Sequence, residues 1–158
     1  MIRLKDLLSE ITFGNLQPYM DKFVWHEYQE SFRTSFKDDV DNTIDVVFDQ
    51  NYTLGDDENA SYELSFWVNK SYDANKDKAG QANYIRIMAT IAAALYSFIK
   101  YADYPWMIEF SGSDSDPEKA AQKTRLYQMF ATTNKTQLDK LGYRYVNTHM
   151  GTGIESID

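Results

Sequence analysis

The sequence contains no cysteine, and this absence removes a broad group of functions at the outset. Disulfide frameworks, thiolate metal sites and thiol catalysis are all excluded. Long apolar runs are also missing: Thr90 and Ser97 interrupt the longest one, around residues 87–99, which is too short to span a bilayer. The first residues lack the apolar run of a signal peptide. We therefore expect a soluble protein of a reducing compartment that makes no contact with membranes.

Positive charge is scarce as well, since 16 Lys and Arg residues face 24 Asp and Glu residues, for a formal net charge of −8. A protein that binds the nucleic-acid backbone needs clustered cations, so we expect no direct contact with nucleic acid. The acidic residues are unevenly distributed. Eight of them occur between Asp38 and Glu58, with no Lys or Arg among them.

Aromatic side chains are abundant, at 15% of all residues, and can build the core of a single domain over residues 1–158. We expect an N-terminal helix or arm over 1–20, a core over 21–146 and a frayed tail over 147–158. The element order α-βββ-α-β-α-β indicates an α+β fold, a mainly antiparallel sheet with helices packed on one face. The predicted strands cover 23–36, 44–49, 62–68, 106–110 and 143–146, and the predicted helices cover 1–12, 81–101, 117–132 and a turn at 136–140.

Strict alternation supports the second and third strands in particular. Ile44, Val46 and Phe48 alternate with a set that includes two aspartates, and Leu64 and Phe66 alternate with polar residues. A period of two is typical of a strand with one buried face. Because the connection between these strands is short, we expect them to pair antiparallel with these five residues facing the long helix.

The segment after the fourth predicted strand has the composition of an anion-binding site. A Gly/Ser loop precedes a helix N-terminus, where free N–H groups attract anions, and an arginine on that helix offers a bidentate contact. The alternative is that the loop residues only cap the helix while Arg125 pairs with a carboxylate such as Glu109. The predicted ligand-binding residues are Ser111, Gly112, Ser113, Arg125 and Tyr127.

The acidic run predicts a docking surface for a basic protein partner. Its two densest clusters lie in predicted turns, and neither matches the twelve-residue calcium loop. Carboxylates along one edge can occupy a basic partner surface, although turns of this kind are also found simply solvated. An exposed tryptophan on the third strand would extend the surface, unless the N-terminal segment covers it. The predicted partner-binding residues are Asp38, Asp39, Asp41, Asp56, Asp57, Glu58 and Trp67.

No pattern in the sequence predicts catalysis, a metal site or a cofactor. His26 and His149 are far apart and lie near no Glu-x-x-His pattern. We expect no catalytic residue, no metal and no cofactor, and an enzyme is the less favoured interpretation.

Three stretches of the chain carry recognisable motifs. They are IRLKDLLSEI at 2–11, RIMATI at 86–91, and IEFSGS at 108–113 followed by TRLYQ at 124–128. A strand that ends in Phe-Ser-Gly and a following helix with Arg-Leu-Tyr resemble a group of small uncharacterised bacteriophage proteins. The segment from Arg125 to Gln128 is also similar to the end of an uncharacterised Bacteroidetes domain family. The resemblance implies a phage or prophage origin and an α+β architecture, and it transfers no catalytic residue.

We therefore expect a phage-encoded, non-catalytic binding protein that contacts a protein partner through an acidic surface. It would act in the cytoplasm of the infected bacterial host or, alternatively, as a minor virion component. The competing interpretation is an enzyme or sensor for a small anionic ligand such as a nucleotide, with its site at the loop Ser111–Ser115 and Arg125. The sequence leaves the oligomeric state open.

Overall fold

The computed structural model describes residues 18–51, 61–69, 84–110, 117–148 and 151–157, and the helix predicted over 1–12 lies outside them. Within these ranges the chain forms seven strands and three helices. In chain order they are β1 (His26–Tyr28), β2 (Ser31–Lys37), β3 (Thr43–Asn51), β4 (Ser61–Val68), α1 (Tyr84–Tyr101), β5 (Met107–Phe110), α2 (Pro117–Thr133), α3 (Lys135–Leu141), β6 (Tyr143–Thr148) and β7 (Gly151–Ser156).

The strands of the described residues form one mixed sheet, in the order β1-β2-β3-β4-β5-β7-β6. Neighbouring strands pair antiparallel, except that β4 and β5 run parallel. Parallel neighbours need a long crossover connection, and the chain between β4 and β5 contains α1. The edges of the sheet are β1 and β6.

The antiparallel pairing predicted for the second and third strands is confirmed. In the β3–β4 pair, Ile44 lies opposite Val68 and Phe48 lies opposite Leu64. All four side chains are buried. Phe98 of α1 stacks on Phe48, with the ring centroids 3.9 Å apart. The alternating apolar residues therefore face the long helix, as their period indicates.

The first predicted strand, over 23–36, is wrong as a single element. The chain reverses between β1 and β2, where Gln29 has a left-handed φ of 54°. The segment before β1 packs along α1 instead of joining the sheet. The indole N–H of Trp25 donates to the Ser97 hydroxyl at 3.2 Å, and the indole ring meets Phe98 edge-on. The aromatic density that indicated a strand serves this contact with the helix.

The predicted frayed tail is also wrong. Residues 151–156 form β7, an inner strand that pairs with both β5 and β6, and Ile154 is buried in the core. Gly153 lies opposite Glu109, and a Cβ at this position would be 2.6 Å from the carbonyl oxygen of Ile108. This glycine is therefore required by close backbone packing and is not a mark of disorder.

The predicted fold class is wrong in two respects. The sheet is mixed, because β4 and β5 run parallel, and the fold is dominated by this seven-stranded sheet rather than by helices packed on one face. On the face away from α1, Val47, Ser65 and Glu109 are buried as well, whereas Asp45, Asp49 and Glu63 on the same face are half-buried. Alternation in the sequence identifies which side chains share a face of the sheet. It does not predict that Ser65 and Glu109 are buried, because their burial depends on contacts with distant parts of the chain.

The later helices agree better with the sequence. α1 confirms the described part of the helix predicted over 81–101, α2 begins at the predicted Pro117, and α3 extends the predicted turn by one residue at each end. None of the described helices is long and apolar enough to cross a membrane.

Candidate functional site

The described residues do not assemble the predicted anion site. Ser111, Gly112 and Ser113 lie outside them. Arg125 and Tyr127 are both on α2, but side chains two positions apart on a helix point in directions about 160° apart. Arg125 is exposed, whereas Tyr127 is only 1% exposed. The two side chains therefore do not face one ligand.

Tyr127 is a core residue. Its ring stacks on Phe110 with the centroids 5.2 Å apart and meets Phe66 edge-on at 6.1 Å. Burial raises the pKa of its phenol, and the charge of Glu63 adds to the effect. Its hydroxyl finds no hydrogen-bond partner among the described residues. Tyr127 therefore contributes packing, and its buried hydroxyl is an energetic cost.

The alternative pairing of Arg125 with Glu109 is not formed either. Glu109 is 1% exposed and points to the face of the sheet away from α1. α2 packs its Tyr127 on the opposite face, so the sheet separates the two charges. Within the described part of the chain, Arg125 forms no ion pair.

Asp38 closes the turn between β2 and β3 and is only 8% exposed. One carboxylate oxygen accepts the backbone N–H groups of Val40 at 3.1 Å and Asn42 at 2.8 Å, and the other accepts the Asn42 side-chain amide at 2.8 Å. The Asn42 oxygen accepts from the Asn69 amide, whose own oxygen accepts the backbone N–H of Thr43. Asp38 therefore ties the turn to the end of β4 and does not belong to an exposed acidic surface.

Asp39 and Asp41 are exposed, but each already contacts a cation. Asp39 pairs with Arg86 of α1 at 3.2 Å, and Asp41 pairs with Lys37 at 2.9 Å. The Arg86 guanidinium also lies over the ring of Tyr19, 4.0 Å from its centroid. Burial, reinforced by the carboxylate of Asp39, raises the pKa of Tyr19 to about 12. The exposed charges of this turn are thus matched within the protein.

Of the other predicted partner-binding residues, Asp56, Asp57 and Glu58 lie outside the described residues. Trp67 lies on β4, half-buried, on the face of the sheet away from α1. The guanidinium of Arg33 lies over its ring, 4.6 Å from the centroid, which is cation–π geometry.

The structure brings together an acidic group that the sequence did not single out. Asp45 and Asp49 of β3 and Glu63 of β4 are half-buried on the same face as Trp67, and Asp49 lies directly opposite Glu63. Asp45 accepts a hydrogen bond from the Ser35 hydroxyl at 2.5 Å. In the described ranges, no cation pairs with Asp49 or Glu63. We call Asp45, Asp49, Glu63 and Trp67 the acidic face.

Only part of this face could be predicted from the sequence. Alternation puts Asp45, Asp49 and Glu63 on the sides of their strands away from the long helix. The register that places Asp49 opposite Glu63 depends on how β3 and β4 pair. A shift of one residue would move every side chain of a strand to the other face.

The two histidines remain apart from this face. His26 is exposed on the edge strand β1, and His149 lies outside the described residues. In the part of the chain that the structure describes, no three side chains of metal-ligating types come close enough together to hold an ion.

No protein-family model matches this chain. No curated protein matches it, and no solved structure does.

Proposed function

We propose that this protein is a non-catalytic binding protein of bacteriophage origin that contacts a basic segment of a partner protein through the acidic face. The observation that carries the proposal is the cross-strand pair of Asp49 and Glu63, two carboxylates that face each other without a cation from the described residues. Like charges directly opposite each other in a sheet are destabilising. A partner that supplies the missing positive charge would account for this arrangement.

The geometry suits a Lys or Arg side chain of the partner. Cβ atoms of directly opposed strand residues are about 4.5–5.5 Å apart, so one cationic group can contact both carboxylates. A hydrogen bond to a charged group contributes about 1.5–3 kcal/mol. Trp67 adds an aromatic side chain to the face, with the guanidinium of Arg33 already over its ring.

The turn that carries Asp39 and Asp41 offers a comparison within the same protein. Both of its exposed carboxylates already pair with Arg86 or Lys37. A cationic partner must displace these contacts before it gains its own, so the net attraction at this turn is smaller. A basic partner therefore binds the acidic face in preference to the turn.

The test is the binding of a fluorescent peptide of alternating Lys and Gly, measured by anisotropy at low and high salt. Asp49→Asn with Glu63→Gln should weaken binding about tenfold, which corresponds to the loss of one charge-assisted hydrogen bond. The difference should shrink as salt screens the charges. Asp39→Asn with Asp41→Asn removes the same amount of charge and should have little effect. Equal losses in the two variants would mean that only net charge matters, and the acidic face would be rejected as the site.

Stability distinguishes a binding role from a structural one. Removal of the like-charge contact should leave the free energy of unfolding unchanged or raise it by about 0.2–1 kcal/mol. Higher stability together with weaker binding is the pattern expected of residues retained for function. A clear loss of stability in Asp49→Asn with Glu63→Gln would show instead that these carboxylates support the fold.

The phage origin is supported by the resemblance of the three motifs to small bacteriophage proteins. We propose that the protein acts in the cytoplasm of an infected bacterium, with the virion as the alternative. Mass spectrometry of purified particles and of the infected-cell extract decides between them. Presence only in the extract supports the cytoplasmic role.

A further inference from the structure

A groove lies between the C-terminal half of α1 and the helix α3, on the helix side of the sheet. Its volume is about 250 Å³, and its walls are formed by Tyr96, Lys100, Gln137, Lys140 and Leu141. Tyr96 and Lys100 are one helical turn apart, and the three residues from α3 share one side of that helix. Both helices pack against α2, which holds the two walls in place.

The two lysines of the groove are among the cations of the described structure that form no ion pair. Four cations form ion pairs there, namely Lys37, Arg86, Lys135 and Arg144. Within the described ranges, Lys100 and Lys140 pair with no carboxylate. The protein carries a net charge of −8, so a shortage of acidic residues does not explain two unpaired cations at one groove.

Each of these lysines lies in the last turn of its helix, where a cation complements the helix dipole. That role accounts for each lysine separately. It does not account for the position of both at one cavity beside the half-buried ring of Tyr96. The positive charges of Lys100 and Lys140 repel each other at a shared groove, and a bound anion offsets this repulsion by attracting both.

We propose that the groove binds a small organic anion, namely a phosphate or carboxylate group attached to a single ring. The ammonium groups of Lys100 and Lys140 hold the anionic group, and the Gln137 amide offers a further donor. The Tyr96 ring and Leu141 contact the ring of the ligand. Ligand sites of this type combine an apolar wall with a few convergent polar groups, as this groove does.

The first test is an NMR titration of the full chain with phenyl phosphate as the probe. Backbone amide signals of Lys100 and Leu141 should shift and saturate. Inorganic phosphate alone should bind more weakly, because it lacks the ring that contacts Tyr96. If phenyl phosphate moves none of the amide signals that line the groove, the proposal is wrong. This measurement needs no variant and does not depend on how a substitution folds.

The second test compares matched variants. Lys100→Gln with Lys140→Gln should raise the dissociation constant for phenyl phosphate about tenfold or more, because charge-assisted contacts are lost. Arg125→Gln removes an exposed cation of α2 that does not line the groove, and it should leave the constant unchanged. If Arg125→Gln weakens binding as much as the lysine pair does, the anion binds near Arg125 and the groove is rejected.

The two proposals fail separately. Asp49→Asn with Glu63→Gln should bind phenyl phosphate as the unchanged protein does, because these residues lie on the other face of the sheet. Lys100→Gln with Lys140→Gln should keep its affinity for the Lys–Gly peptide or gain slightly. Loss of phenyl phosphate binding in the acidic-face variant would contradict the placement of the anion in the groove.

Discussion

Substitution of Asp38 by asparagine tests the hydrogen-bond network that closes the turn between β2 and β3. Asp38→Asn removes one charge and replaces one oxygen with an NH₂ group, with almost no change in shape. At an exposed acidic residue the effect on stability would be small. At Asp38 we expect a large loss, because three hydrogen bonds converge on its carboxylate.

The network has a fixed direction. The backbone N–H of Thr43 can only donate, so Asn69 must present its oxygen there, at 2.9 Å. The Asn69 NH₂ then donates to the oxygen of Asn42 at 2.8 Å, and the Asn42 NH₂ donates to Asp38 at 2.8 Å. An asparagine at position 38 that keeps its oxygen toward the backbone N–H groups points its own NH₂ at that of Asn42. If the side-chain amides of Asn42 and Asn69 both rotate to relieve this contact, the NH₂ group of Asn69 faces the backbone N–H of Thr43 instead.

The magnitude follows from burial. Asn42 is 0% exposed, so water does not replace the lost acceptor. A buried donor left unsatisfied costs about 1–3 kcal/mol. The bonds from Val40 and Asn42 also change from charge-assisted to neutral, which weakens each of them. We expect Asp38→Asn to lower the free energy of unfolding by about 2–4 kcal/mol in all.

Urea unfolding followed by tryptophan fluorescence measures this change, and the midpoint should fall while the m-value stays constant. Asp41→Asn is the matched control. Asp41 has a left-handed φ of 67°, which asparagine tolerates, and its ion pair with Lys37 is exposed. Its cost should stay below about 1 kcal/mol. Equal midpoints for the two variants would refute the directional network.

Two further substitutions test the packing of the sheet and of the helix upon it. Gly153→Ala places a methyl group 2.6 Å from the backbone oxygen of Ile108, and it should destabilise the protein by about 1–3 kcal/mol in the same urea assay; an unchanged midpoint would show that β7 and β5 can separate at no cost. Tyr127→Phe removes a buried hydroxyl that no described residue bonds while it keeps the ring on Phe110, so stability should rise by up to about 1 kcal/mol. A decrease larger than about 1 kcal/mol would mean that the hydroxyl has a partner.

The centre of the sheet could be predicted because its information is local. The period of two in β3 shows that Ile44, Val46 and Phe48 share one face. A single connection leads from β3 to the matching pattern at Leu64 and Phe66. Strands joined in this way pair as neighbours with little choice of partner. The long helix could be predicted as well, since its apolar residues recur on one side from Ile87 to Ile99.

The rest of the sheet depends on contacts between distant parts of the chain. β7 pairs with β5 through residues more than forty positions away, at Gly153 and Glu109 for example. Its two glycines have low strand propensity, so local preference argues against a strand there. β7 is stabilised by the burial of Ile154 and by backbone hydrogen bonds to β5 on one side and β6 on the other. The alternation of apolar residues in the sequence predicts neither.

The acidic run shows why charge in a β protein has to be assigned to surfaces after the strands are paired. Asp38 is buried in a turn, and Asp39 and Asp41 form ion pairs with cations. Of these four aspartates, only Asp49 lies directly opposite another carboxylate. That carboxylate belongs to Glu63, which lies outside the run from Asp38 to Glu58. Two residues that face each other across an antiparallel pair of strands can be far apart in the sequence. Two residues that are adjacent in the sequence of a strand point to opposite faces of the sheet. The pair of Asp49 and Glu63 therefore joins a residue of the acidic run to one outside it, and no linear cluster of charges in the sequence contains both.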